Sequence, residues 1–307
     1  MIYLHRRCPA CNGDSHSLAL ASRQDPDQLS WRELSAAWSG LFSEKSFFPY
    51  HRCRNCGLLF DPVYFTEHQL AELYKNMPAN MAEAGSPEPL RRTQEGYFDL
   101  IANSLTEGGD YLEIGPDIGT FARRCGSAID IEHYWLIEPN RGVWDQLRKG
   151  LPVKRYTISP SLDAIESIPD GSLKVAVGIH VLDHLLNPAK VLTRIRSKMA
   201  PGGIFLSVTH NERSLLARAL QSRWPPYCLQ HPQLFNSNTI GALFQESGFE
   251  RIKVMPTYNC FPTGFLIRQA LWASMRMAAK DLGFLESWSV RLKLGNIAAI
   301  ASTRAEI

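Results

Sequence analysis

"YLEIGPDIGTF", residues 111–121, is the stretch that decides the fold. A short apolar run with strand character ends at Gly115, and "FARRCGSA" begins a helical pattern straight after Gly119. A buried strand that passes through a glycine turn into a helix is the entry to a fold that binds nucleotides or nucleosides. Gly115 and Gly119 let the backbone approach a ligand closely. Between them stands Asp117, where such turns usually carry another glycine. If that position needs a positive φ, Asp tolerates it better than most residues.

Outward from this turn the pattern alternates. Before it, "RTQEGYFDLIANSL" places Tyr97, Leu100, Ile101 and Leu105 on one helical face. After it, "EHYWLIEPN" reads as a second strand ending at Glu138, and "RGVWDQLRKG" as a helix closed by Gly150. "VKRYTI", "LKVAVGIHVL" and "GIFLSVTH" read as strands three to five, with the helix "LLNPAKVLTRIRSKMAPGG" between the last two. "SNTIGALFQESGF" is a helix and "ERIKVMPT" a strand, and "VRLKLGNIAAIASTR" gives two short strand-like runs around Gly295 and Asn296. This alternation predicts an α/β fold over residues 91–307: a Rossmann-like, doubly wound, mostly parallel sheet with a terminal antiparallel hairpin. Ligands of such sheets sit at the carboxyl ends of the strands. An acid at Glu138, about twenty residues after the turn, can accept both hydroxyls of a ribose. A segment at 261–285, apolar and basic, reads as a helix inserted before the last strands, fit to cap a pocket, touch a membrane surface or pair subunits.

Residues 1–62 are of another kind. Cys8-Pro-Ala-Cys11 and Cys53-Arg-Asn-Cys56 each put two thiols on one tight turn. Two such turns supply four soft ligands in a tetrahedron, which suits a structural Zn²⁺ with no open position. The rival readings are a redox dithiol, whose pattern does not call for two pairs at once, and no metal at all. The spacer carries helical apolar spacing at Trp31, Leu34, Trp38 and Leu41. Residues 63–90 read as a helical linker.

Composition narrows the function classes. The 307 residues include 33 basic and 30 acidic side chains, a balance that offers no argument for nucleic acid. No apolar run is long enough for a membrane span, and the first residues lack the apolar core of a secretory signal. With seven cysteines, an odd number, and no such signal, the expected compartment is the cytoplasm.

Several blocks together resemble the class I S-adenosylmethionine-dependent methyltransferases, in the branch with an amino-terminal zinc-binding region that includes sugar C-methyltransferases. These blocks are "HRCRNCGLLFDP" with "FTEHQLAELY", then "LEIGPDIGTF", "VLDHLLNPAKVLTRIRSKMAPGG", "HPQLFNSNTIGALFQESGFE" and "LKLGNIAAIA". The resemblance implies S-adenosylmethionine as cofactor. Its methionyl group would lie against the turn, where Asp117 can face a sulfonium or an ammonium. It further implies that Glu113 holds the methionyl end, Gly115 and Gly119 line the turn, Glu138 takes the ribose, Asp163 reaches the adenine amino group, and His180 lies near the methionyl moiety.

Methyl transfer from a sulfonium asks the protein to position the acceptor and to remove its proton. By the same resemblance His231, in "YCLQHPQLF", is the base, with His184 and Tyr227 in support. Relatives often carry Glu before that histidine, and here it is Gln230. As a first-turn helix residue His184 has a second reading, in which it only bonds backbone. Pro232 restricts the backbone of His231 and Pro225-Pro226 stiffen the approach. The acceptor implied is a small molecule, a nucleotide-linked sugar or related metabolite. O-methylation of a glycan or natural product is the enzyme alternative, and a scaffold with a degenerate donor site the non-enzyme one.

Overall fold

Two lobes of secondary structure meet over a shared strand. The computed structural model describes residues 3–22, 26–38, 46–75, 87–151, 155–264, 267 and 288–304. In the amino-terminal lobe β1 (Leu4–His5) pairs with β5 (Val63–Tyr64), while β2 (His16–Leu20), β3 (Tyr50–Cys53) and β4 (Leu59–Phe60) form an antiparallel sheet. Helix α1 covers Trp31–Ala37, and the reciprocal bonds of Ser30 and Glu33 cap its first turn. It buries Leu34 and packs Trp38 on Phe65, so the expected helical spacing holds over two turns; Leu41 lies outside the described residues. The predicted linker is not helical from its start: β5 occupies its first residues, and helix α2 runs from Glu67 to Lys75.

The larger lobe begins with α3 (Pro87–Phe98). Its sheet is built from β6 (Asp110–Ile114), β7 (His133–Ile137), β8 (Tyr156–Ser159), β9 (Leu173–Ile179) and β10 (Met199–His210). Between them lie α4 (Thr120–Gly126), α5 (Trp144–Gly150) and α6 (Pro188–Lys198). After β10 come α7 (Leu215–Leu220), β11 (Gln233–Leu234), α8 (Ser237–Glu246), β12 (Arg251–Pro262) and β13 (Ser289–Ser302). The strand order is β12-β13-β10-β9-β6-β7-β8, parallel throughout except for β13. Sequence order reverses between β6 and β9, which makes their carboxyl ends the switch point.

Both faces of the sheet are covered, as a parallel sheet requires. Leu112, Ile114 and Phe205 pack with Leu192 and Ile195 of α6 and with Leu243 and Phe244 of α8. Tyr111, Leu136 and Val177 face Tyr97 and Phe98 of α3 and Phe121 and Cys125 of α4 on the other side. One expectation is corrected here. Gly295 and Asn296 do not separate two short runs. At φ 114° Gly295 sits inside one long strand, β13, whose antiparallel partner is β12. Most of the segment expected as an inserted helix, 261–285, lies outside the described residues; Phe261 and Pro262 still belong to β12.

The lobes are joined by β11. It pairs antiparallel with β4, Gln233 opposite Phe60 and Leu234 opposite Leu59, and so completes the four-stranded sheet β11-β4-β3-β2.

Candidate functional site

The glycine turn takes its shape from three residues in the left-handed region: Gly115 at φ 69°, Asp117 at 50° and Gly119 at 78°. A Cβ on Gly115 would meet the Val181 side chain at 3.1 Å, so this turn and the exit of β9 are pressed together. A Cβ on Gly119 would meet Leu147 at 2.6 Å. Glu138, directly after β7, accepts the backbone N–H of Asp117 at 2.9 Å and of Asn140 at 2.8 Å. Burial lifts its pKa to about 7 against those two bonds. Glu113 is buried in β6 and accepts the Tyr111 hydroxyl at 2.7 Å. It too is lifted to about 7, chiefly by burial, while the Ala122 N–H in the first turn of α4 opposes the shift. The carboxylates therefore brace the turn from its two ends.

Beside the turn four imidazoles stand in a row. Ring centroids are 4.6 Å apart for His180 and His210, 4.8 Å for His210 and His231, and 4.6 Å for His231 and His184. Asp183, completely buried, holds His210 Nδ1 at 2.6 Å through Oδ2. Burial alone would raise the Asp183 pKa; the bond from His210 and the surrounding imidazoles hold it well below the usual carboxylate range. His180 and His184 are both pushed down to about 3, by burial first and then by neighbouring imidazoles. Burial opposes the charged form of His231 as well. There the Cys228 sulfur at 3.3 Å, Asp183 and the Pro226 carbonyl at 2.7 Å outweigh it and lift the value to about 9. Because Nδ1 faces the Pro226 carbonyl, it carries the proton, and Nε2 is the basic position of the neutral ring.

The amino-terminal lobe holds this row from behind. The Tyr50 hydroxyl donates to the His231 carbonyl at 2.6 Å, and the Tyr64 hydroxyl to the Leu229 carbonyl. Tyr74 of α2 meets His184 Nδ1 at 3.0 Å. Arg6 is spread over four acceptors: the carbonyls of Asp61, Leu186 and Pro232, and the Gln233 side chain. Gln233 in turn donates to the carbonyls of Leu182 and Leu185, on either side of His184.

Cys8, Cys11, Cys53 and Cys56 converge, with all four sulfurs within 4.8 Å of one another. Cys8 and Cys56 are 3.5 Å apart, as are Cys11 and Cys53. The turns close through Asn12 N–H to the Cys8 carbonyl and Gly57 N–H to the Cys53 carbonyl, with Gly57 at φ 77°.

Among the residues singled out in the sequence, Gly115, Asp117, Gly119 and Glu138 share the turn, and His180, His184 and His231 share the row. His184 lies in the turn before α6, whose first residue is Pro188, and not in a helical first turn; its ring nitrogen bonds Tyr74 and not backbone. Tyr227 packs among Phe47, Tyr50 and Trp224, and it is Trp224 that lies against His210. The Asp163 side chain is 91% exposed, bonded to Ser161 and 3.9 Å from Arg194. Sequence reasoning passed over His210 and Asp183. The signal was present, since His210 ends a strand just as His180 follows one.

A nucleoside-binding turn at the switch point, with an acid at the next strand exit, defines a Rossmann-like enzyme of the class I type. The family described as "Methyltransferase domain" matches residues 90–254, more than half of the chain. The chain belongs to this family: it is an enzyme of methyl transfer with the class I S-adenosylmethionine-dependent fold. No curated protein matches it in sequence. Among solved structures it is similar in fold to a SAM-dependent methyltransferase from Archaeoglobus fulgidus, with 17% identity, 73% of this chain and 97% of that chain covered, and a TM-score of 0.50. It is similar also to a chain of the Haloferax volcanii complex between the Trm112 methyltransferase activator and a methyltransferase, with 11% identity, 75% and 100% covered, and a TM-score of 0.51. No helix among the described residues is long and apolar enough to cross a membrane.

Proposed function

We propose that the protein transfers a methyl group from S-adenosylmethionine to a small acceptor bound against the histidine row, with a structural zinc in the amino-terminal lobe. The observation that carries this reading is the juxtaposition of the glycine turn and the row, seen where a Cβ added to Gly115 would meet the side chain of Val181, the residue after His180, at 3.1 Å.

The residues fit the donor. The turn leaves no room for a side chain at Gly115, and Glu138 presents a buried carboxylate at the adjacent strand exit. Gly115, Asp117 and Gly119 would hold the methionyl end, and Glu138 the ribose hydroxyls. Bound there, the donor supplies a methyl group already activated on sulfonium. The chain's own contribution is positional and protic. In its neutral form, which prevails above pH about 9, His231 takes the acceptor's proton at Nε2, its ring fixed by the Pro226 carbonyl and its backbone by Tyr50. A nucleotide-linked sugar, methylated at carbon or oxygen, is the acceptor class that the sequence resemblance supports.

The thiols fit zinc. Sulfurs about 2.3 Å from a tetrahedral ion stand about 3.8 Å apart, close to the 3.5 Å of the two short pairs. Four sulfurs complete the tetrahedron, so the ion would be structural.

Calorimetry with S-adenosylmethionine and turnover with nucleotide-linked sugars test the reading. The His231→Ala variant is expected to keep its donor affinity while turnover falls by ~10²–10⁴, the range for loss of a general base. Full turnover in that variant rules out the base, and no donor binding by the native chain rules out the function.

A further inference from the structure

We propose that His180, Asp183 and His210 form a binding site for a divalent transition-metal cation, separate from the four-cysteine cluster. Each offers one ligand atom, and these atoms lie within 4.8 Å of one another. The three residues come from adjoining strand exits: His180 and Asp183 follow β9, and His210 ends β10.

Three observations point to a ligand and not merely to a packed polar core. First, His180 Nδ1 and Asp183 Oδ1 are buried with no hydrogen-bond partner among the described residues. An uncompensated oxygen on a wholly buried carboxylate is costly, and a cation is the partner that would satisfy it. Secondly, His180 stands at φ 53°, a conformation uncommon outside glycine, and its N–H is tied to the Val208 carbonyl at 2.7 Å. Backbone strain of this kind is kept where a side chain must point one way. Thirdly, His210 Nδ1 and Asp183 Oδ2 stand 2.6 Å apart, so a nitrogen and an oxygen donor are already brought together on one side of the site. Asn296 stands 3.3 Å from the other nitrogen of His180.

The donor set selects the ion. Two imidazoles and a carboxylate suit zinc, iron or nickel, whereas magnesium and calcium prefer oxygen alone. Three protein ligands also leave coordination positions open, unlike four thiolates. An acceptor carrying a hydroxyl or carbonyl oxygen is the kind of molecule that would fill them.

Cobalt titration of the purified, metal-stripped full chain tests the site. Two equivalents are expected. One gives intense near-ultraviolet sulfur-to-cobalt charge transfer, and the other only weak visible bands of nitrogen and oxygen ligation. Two variants report on the second: His180→Asn, since Asn also accepts positive φ, and His210→Gln. Both are expected to bind the second cobalt more than ~100-fold more weakly, because losing even an outer partner of a metal ligand costs up to about that factor. Charge transfer at the first site should persist in both, which also shows that they are folded. Binding of one equivalent by the native chain overturns the proposal, as does a second equivalent held equally well by both variants.

Discussion

Glu138 serves the fold, and in the function proposed above it serves the donor as well. Its two oxygens fasten Asp117 and Asn140, and burial holds its pKa near 7. Asp117 pushes the value further up, and Glu113 and Tyr74 belong to the same charged neighbourhood. In stability the sign is plain: a raised acid contributes below its unfolded value near 4.5, and the contribution is lost as pH rises through about 7. In binding the sign is reversed, because ribose hydroxyls are best accepted by the carboxylate. Donor affinity is therefore expected to weaken as pH falls below about 7, and calorimetry across that range would measure it. The Glu138→Gln variant should lose ~1.5–3 kcal/mol of affinity at higher pH, roughly tenfold to a hundredfold, and should lose the pH dependence. A dependence unchanged in that variant would assign the titration to Glu113.

At the scale of elements the connection between lobes is the telling feature. Arg6 reaches from the chain after β1 to the carbonyl before the α6 turn and to β11, and its charge faces the buried Asp61 carboxylate. Both Asp61 oxygens lack a hydrogen-bond partner among the described residues, and burial pushes this carboxyl well above the usual carboxylate range although the Arg6 charge opposes the shift. Arg6→Met leaves its four acceptors without this donor and is expected to destabilise the protein by at least ~1–3 kcal/mol, the range for an unsatisfied buried group; denaturant unfolding would measure it. None of this was legible in the sequence. The long strands and helices were, because their apolar period persists for two turns or more. The exit of β6 was legible because positive φ favours glycine there, and the acid after β7 because ribose recognition asks for one at that spacing. A two-residue strand such as β11 has no period to read, and Arg6 looks like any surface cation. His210 could be read in "SVTH" as a strand-end histidine, but only the fold shows Asp183 coming to meet it. The run at 289–302 misled because a glycine within a strand resembles a turn until its partner strand is known.

For the molecule as a whole, the four-cysteine cluster acts at a distance. It organises β3 and β4, and Tyr50 of β3 holds the carbonyl of His231. With the zinc read above, Cys53→Ser or chelation should remove the ion and loosen this lobe, since metal-binding energy is folding energy there. Donor affinity should change little, because the glycine turn belongs to the other lobe. Turnover should fall, because His231 loses its support. Metal analysis, calorimetry and turnover on one preparation would check all three; a zinc-free variant with full turnover would mean that the lobe does not support the base.

The pairing of β4 with β11 also bears on how the chain is made. Phe60 and Leu59 leave the ribosome early, and their partners Gln233 and Leu234 follow only after more than half the chain has been translated. Through that interval one edge of the nascent sheet has no mate, and its apolar residues stay open to wrong pairings. Synthesis thus leaves a vulnerable window that closes late, and a chaperone or a slow stretch of translation would matter most between those two moments.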